Sequence, residues 1–137
     1  MKPPPPDIVK KLIEGKTYAT VATIMLDGSP QVTQTWVDHV GDLVLVNTFE
    51  GSQKSRNVRR NPKVALTVID QSDPFNAAVV RGRVKEVTFN GAEAHVDRMA
   101  KKYFGMDKYP RRSPGEKRIL IKIEPTHVIP PRMQTQR

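Results

Sequence analysis

Thr17-Tyr18-Ala19-Thr20-Val21-Ala22-Thr23-Ile24-Met25-Leu26-Asp27-Gly28-Ser29-Pro30-Gln31-Val32-Thr33-Gln34-Thr35-Trp36-Val37 holds two runs of β-branched and small residues on either side of an Asp-Gly pair. Such residues fit a pleated, half-buried surface, and Asp-Gly supplies the backbone freedom of a tight hairpin turn. The stretch therefore reads as an antiparallel hairpin. Working outward, Val40-Gly41-Asp42 makes a second turn into a strand over 43–48, and residues 64–69 form another. Residues 77–87 read as a long strand in which Arg81, Arg83 and Lys85 alternate with Val80, Gly82 and Val84, giving one basic and one packed face. Gly82 marks a bulge or a close backbone approach. A last strand over 119–124 is expected to close at Pro125. Strands joined by hairpin-length turns do not make βαβ units, so the fold class is mainly β: an antiparallel barrel of about six strands with three short helices at its ends.

The helices are read from period and caps. Asp7 caps a short helix with Ile8, Val9, Leu12 and Ile13 on one face, and Gly15 suits the left-handed position beyond its end. A second helix follows Gly51 and stops at Asn61-Pro62. In the third, Asn90-Gly91-Ala92-Glu93 resembles a capping box, and Val96, Met99, Ala100 and Tyr103 recur at helical spacing up to Gly105. Met99 and Tyr103 read as core residues. The chain divides into a proline-rich arm over 1–6, one barrel domain over 7–130 and a tail over 131–137.

The 137 residues carry 23 Lys+Arg against 14 Asp+Glu, a formal charge of +9, which points to an anionic partner. There is no cysteine, so disulfides, thiolate catalysis and cysteine-ligated metals are excluded. His39, His95 and His127 lie far apart without metal-ligand spacing, and a metal site would have to be assembled wholly by the fold. With 37% hydrophobic residues and 12 prolines the core is thin, and dimerisation would bury what it leaves exposed. The chain starts without an apolar leader and no stretch reaches membrane-spanning length, so the expected location is cytoplasmic, without a membrane partner.

Gly51-Ser52-Gln53-Lys54-Ser55-Arg56-Asn57-Val58-Arg59-Arg60 places hydroxyl, amide and cationic groups at a helix start after an apolar strand. Free N–H groups and the positive dipole end stabilise an anion there, and Lys54 with one or more of Arg56, Arg59 and Arg60 would add charge-assisted bonds. A solvated basic turn has the same composition.

The order of these features resembles the pyridoxamine 5′-phosphate oxidase-like flavin split-barrel superfamily over nearly the whole chain. Its carriers are the Ala-Thr-rich strand, the Asp-Gly turn, Pro30 with Thr33-Gln34-Thr35-Trp36, Asn47-Thr48, Ser52-Gln53-Lys54, Arg56-Asn57, Asn61-Pro62 and Val80-Arg81-Gly82-Arg83. Within it, Ala100-Lys101-Lys102-Tyr103-Phe104-Gly105, Asp107-Lys108-Tyr109-Pro110 and Pro114-Gly115-Glu116 resemble the single-domain reductases that use the deazaflavin coenzyme F-420. The resemblance implies a split-barrel homodimer with two cofactors at the subunit interface. It implies that Thr33, Gln34, Thr35 and Trp36 border the ring and that Asn47 and Thr48 face the ring and ribityl chain. Ser52, Gln53 and Lys54 would hold the phosphate, with Asn57 and Arg59 nearby. Gln53 stands where the oxidases usually carry arginine, which leaves Lys54 as the main cation, and Arg56, Arg59 and Arg60 as substitutes. Trp36 also suits a barrel-core anchor, and Asn57 a buried polar residue bonded to a loop.

The resemblance implies that a cofactor carries the chemistry, which suits a sequence in which no nucleophile–base pair or paired carboxylates stand out. The implied reaction is hydride transfer between the deazaflavin and an electron-poor small molecule of enone or quinone type, with Tyr103 and Tyr109 as candidate proton donors. An FMN-binding oxidoreductase of the same fold is the alternative. Other classes are a cofactor-binding protein without catalysis and a basic nucleic-acid-binding barrel, which Arg81, Arg83 and Lys85 support but for which an aromatic platform is lacking.

Overall fold

Residues 30–40 set the shape of the sheet. In a computed structural model, which describes residues 7–131, the elements follow as α1 (Asp7–Glu14), β1 (Thr17–Ile24), β2 (Pro30–Trp36), β3 (Asp38–Val40), β4 (Leu43–Phe49), α2 (Gln53–Arg60), β5 (Lys63–Asp70), β6 (Ala77–Thr88), α3 (Ala92–Phe104) and β7 (Arg118–Ile129). The seven strands form one antiparallel sheet in the order β2-β1-β5-β6-β7-β4-β3. Its two edge strands are consecutive in the chain, with only Val37 between them. One residue cannot span a flat seven-stranded sheet, whose strands lie roughly 4.8 Å apart, so the sheet must curl until its edges meet. Val37, 1% exposed, sits in the core at that seam. This is the split-barrel architecture.

The hairpin of β1 and β2 pairs Tyr18 with Trp36 and Ile24 with Pro30, and β1 alternates buried Thr17, Ala19, Val21 and Thr23 with half-buried neighbours. Inward-facing Val21, Val46, Leu66, Val68, Val80, Ile121 and Ile123 fill the barrel with Val9 and Ile13 of α1 and Val58 of α2. α1 packs on β3 and β5, α2 on β1 and β4, and α3 on β4 and β7.

Four local expectations are corrected. The sheet has a seventh strand, β3, whose three residues are too few to show a period before the Gly41 turn. Pro125 does not end the last strand: β7 continues to Ile129 because the β6–β7 register shifts there, so that Pro125 stands opposite Gly82 while His127 pairs with Arg81. The cap of α3 is Gly91 in the left-handed region, without a side-chain bond; Glu93 instead accepts from the Arg118 N–H at 2.8 Å. Gly15 does not have positive φ; its N–H closes a turn on the Leu12 carbonyl. The basic face of β6 is as read, with Arg81, Arg83 and Lys85 exposed and Val80 and Gly82 buried. The proline-rich arm over 1–6 and most of the expected tail lie outside the described residues.

Candidate functional site

A cleft of about 490 Å³ opens between β2 and α3, lined by Tyr18, Gln34, Thr35, Trp36, Asn47, His95, Val96, Met99, Phe104, Tyr109, Arg111 and Arg118. One wall is aromatic. Trp36 stacks on Tyr103 at 5.0 Å between centroids with 5° between planes, and meets Phe104 and Tyr109 edge to face at 5.0 and 5.8 Å. β2 delivers Trp36 to this position just before the seam, and α3 brings Tyr103 and Phe104 from its last turn. Trp36 is thus both packed on one face and part of the cleft wall. The Tyr103 hydroxyl donates to the Thr17 carbonyl, and the residue is not among those lining the cleft, so it anchors α3 to β1. Tyr109 does reach the cleft.

The opposite wall is polar. Asn47 on β4 accepts from Arg118 Nε at 2.9 Å through Oδ1 and donates through Nδ2 to the Ala92 carbonyl at 2.9 Å and to His95 Nδ1 at 3.1 Å. Arg118 is 7% exposed, pairs with Glu116 at 3.0 Å and lies over the Tyr109 ring. A second depression, about 670 Å³, continues from the cleft past Tyr109, Arg111 and Arg118 along residues 113–117.

The corner before α2 is built as its residues require. Ser52 caps the helix through Oγ, accepting from the Ser55 N–H at 3.1 Å and from the Thr48 hydroxyl at 3.2 Å. Lys54, in the first turn, is 9% exposed and has no hydrogen-bonding or ion-pair partner among the described residues. Burial, with the Arg118 guanidinium adding repulsion, pulls its pKa down to about 8. An ammonium without a partner on a largely buried side chain, within electrostatic reach of a buried guanidinium, is a costly arrangement that an anion would relieve.

Gln34, Thr35, Trp36 and Asn47 come together on the cleft. Thr33 is half-buried further along β2, opposite Val21, and Thr48 and Ser52 are bonded to each other behind the corner. The remaining cations and amides of α2 are engaged within the chain. Gln53 and Arg60 both donate to Asn57 Oδ1, at 2.8 and 3.0 Å, and Arg56 bonds the Gly51 carbonyl and Gln53. Arg59 pairs with Glu50 at 2.6 Å. Asn57, fully buried, donates to Thr23 Oγ1 at 3.0 Å and so fastens α2 to β1. Sequence reasoning missed Tyr18, Asp38, His95, Arg111 and Arg118 as site residues. Asp38 and His95 are 57 positions apart and Asn47 and Arg118 are 71, so no local spacing announces them. The one available signal was an arginine directly before the apolar run Ile119-Leu120-Ile121.

Among the described residues no helix is long and apolar enough to cross a membrane, and no group of three or more acidic, histidine or cysteine side chains is placed to hold a metal. The family model for pyridoxamine 5′-phosphate oxidase matches residues 6–130. The chain is similar to a solved F420 reductase, at 30% identity over 88% of this chain and 94% of that one, with a TM-score of 0.75. It shares the fold of General Stress Protein 26 from Bacillus anthracis, at 18% identity over 89% of both chains and a TM-score of 0.64. The same holds for HupZ from Group A Streptococcus, at 19% identity, 91% and 92% coverage and a TM-score of 0.66. With a family match over almost the whole described chain and the curled seven-stranded sheet in place, this chain belongs to the pyridoxamine 5′-phosphate oxidase family of split barrels.

Proposed function

We propose that the chain is an oxidoreductase that binds coenzyme F-420 and passes hydride between it and an electron-poor small organic molecule. The observation that carries this reading is Lys54, buried without a partner among the described residues and within electrostatic reach of Arg118, which lines the cleft walled by Trp36. Those residues fit a group that joins a planar ring to a phosphate. The likeness to an F420 reductase supports the deazaflavin over FMN. So does the second depression, where Arg111 and Lys117 offer exposed cations to an acidic tail.

In this reading Trp36, Gln34 and Thr35 border the ring, Asn47 and Arg118 face it from the polar wall, and Lys54 meets the phosphate. Thr33 stands further along the ring-bordering strand; Thr48, Ser52, Gln53 and Asn57 support the corner from behind, and Arg59, paired with Glu50, flanks it. The cofactor supplies the hydride chemistry when bound. The chain's own part is to orient the ring, exclude water with the Trp36–Tyr103–Phe104 stack, and concentrate positive charge at the phosphate end.

Titration of the purified protein with coenzyme F-420 and with FMN, at low and high salt, is the test. F-420 is expected to bind more tightly, with affinity that falls as salt rises, because exposed cations along the tail are screened over about 8 Å at physiological ionic strength. Equal or tighter FMN binding with little salt dependence would transfer the assignment to an FMN oxidoreductase.

We further infer a homodimer with the cleft at the subunit interface. Leu26, Val32 and Val40, near or on the edge strands, are 80%, 62% and 54% exposed, apolar side chains that a partner subunit would cover. Light scattering at micromolar concentration should give twice the chain mass. A clean monomer that still binds the cofactor tightly would remove the shared site.

A further inference from the structure

A line of buried and half-buried polar groups runs from the seam of the barrel to the cleft. His95 on α3 is 1% exposed; its Nε2 lies 3.0 Å from Asp38 Oδ2 on β3 and its Nδ1 3.1 Å from Asn47 Nδ2 on β4. Asn47 in turn bonds Arg118 Nε through Oδ1. The chemistry of the end groups fixes every proton in this line. A guanidinium only donates and a carbonyl only accepts. Asn47 must therefore aim its oxygen at Arg118 and its NH₂ at the Ala92 carbonyl and His95. His95 Nδ1 is then an acceptor, and the proton of the neutral ring resides on Nε2, where it is donated to Asp38. The other Asp38 oxygen, Oδ1, accepts from the His39 N–H at 2.8 Å. Burial pushes the Asp38 carboxyl up, but the bonds from His95 and the His39 N–H outweigh it and leave its pKa below the usual value.

We propose that Asp38 and His95 are positioning residues that, by fixing one imidazole tautomer, lock the Asn47 amide and through it the Arg118 guanidinium on the cleft wall. Neither residue needs to touch a ligand for this. The effect is to set the orientation of a cleft wall from the far edge of the sheet. The proposal rests on the reading of Lys54 and Arg118 as the corner that meets the cofactor's anion.

The decisive variant is Asp38→Asn, which has the same shape but reversed polarity at one atom. Its oxygen stays on the His39 N–H, so its NH₂ faces His95 Nε2, which must now accept. The ring proton moves to Nδ1, where it confronts the Asn47 NH₂, and Asn47 must turn over or let go; either releases Arg118. Nitrogen-resolved NMR of the cofactor-free protein should show an Nε2–H tautomer at His95 in the wild type and its loss in Asp38→Asn. Affinity for whichever of coenzyme F-420 and FMN the wild type binds should fall about tenfold or more, the loss expected of a hydrogen bond to a charged group. His95→Gln, whose amide can donate to Asp38 and accept from Asn47, should stay within about threefold of wild type. His95→Leu, which can do neither, should weaken binding like Asp38→Asn and keeps the test open if that variant does not fold. Lys54→Met is titrated alongside. If it binds as tightly as wild type, the anion corner is wrong and the proposal falls with it. If Lys54→Met weakens binding while Asp38→Asn and His95→Leu do not, the positioning role alone is overturned.

Discussion

Lys54→Met should stabilise the cofactor-free protein by about 3 kcal/mol at pH 7 while weakening cofactor binding by tenfold or more. The two effects have one source. Lys54 is drawn from 10.5 to about 8 by burial and by Arg118, and at roughly 1.4 kcal/mol per unit that fall is the cost of keeping the ammonium charged in the folded chain. The pH dependence follows from where the proton resides. Between about pH 8 and 10.5 the unfolded chain holds the Lys54 proton and the folded chain has lost it, so wild-type stability rises with pH across that window. The advantage of methionine is therefore full below about pH 8 and fades toward pH 10.5. Urea denaturation of both proteins at pH 7 and at pH 10.5 measures it directly. A variant less stable than wild type at pH 7 would mean that Lys54 already has a compensating partner, and the case for an anion corner would collapse.

The corner was legible in the sequence and the opposite wall was not, because only the corner is built from neighbours in the chain. Ser52, Lys54 and the Asn61-Pro62 stop are close in the chain, so helix-start chemistry exposes them without knowledge of the fold. The same reasoning overcounted the cations. Arg56, Arg59 and Arg60 look equivalent to Lys54 in a basic run, yet each finds an acceptor on its own helix, on Gly51, on Glu50 or on the Ile24 carbonyl. Helical geometry assigns them to the outer face and Lys54 to the buried one, a distinction that turns on a rotation of about 100° per residue.

Trp36 was readable as either ring-binding or core, and the structure packs one of its faces on Tyr103 and leaves it on the cleft wall because β2 is an edge strand next to the seam. The seam itself was hidden. The turn signal at Gly41 is stronger than the short run Asp38, His39 and Val40, whose pairing with β4 forms the second edge of the sheet and brings Asp38 to His95. Long-range pairs of this kind depend on sheet order, and local pattern carries no information about which edges meet.

Gly82→Ala is expected to destabilise the fold by about 2–4 kcal/mol, whereas Gly15→Ala should stabilise it by about 0.4–1 kcal/mol. Neither glycine has positive φ, so at both positions alanine gains the same advantage of a less free unfolded chain. Space decides the sign. At Gly15 a Cβ would meet only the Leu12 carbonyl oxygen, at 3.6 Å, an ordinary contact. At Gly82 it would lie 2.5 Å from the Glu124 carbonyl oxygen and 2.9 Å from Ile123 Cγ2. Neither obstacle can swing away: the oxygen belongs to the backbone of β7, and Ile123 is wholly buried in the core. β7 would have to move off β6 at the register shift where Pro125 stands, disturbing the longest ladder of the sheet and the strand that carries Arg118. Urea midpoints of the two variants against wild type provide the check. A Gly82→Ala protein within about 0.5 kcal/mol of wild type would show that β7 yields freely, and the close approach of the two strands would then be incidental to the fold.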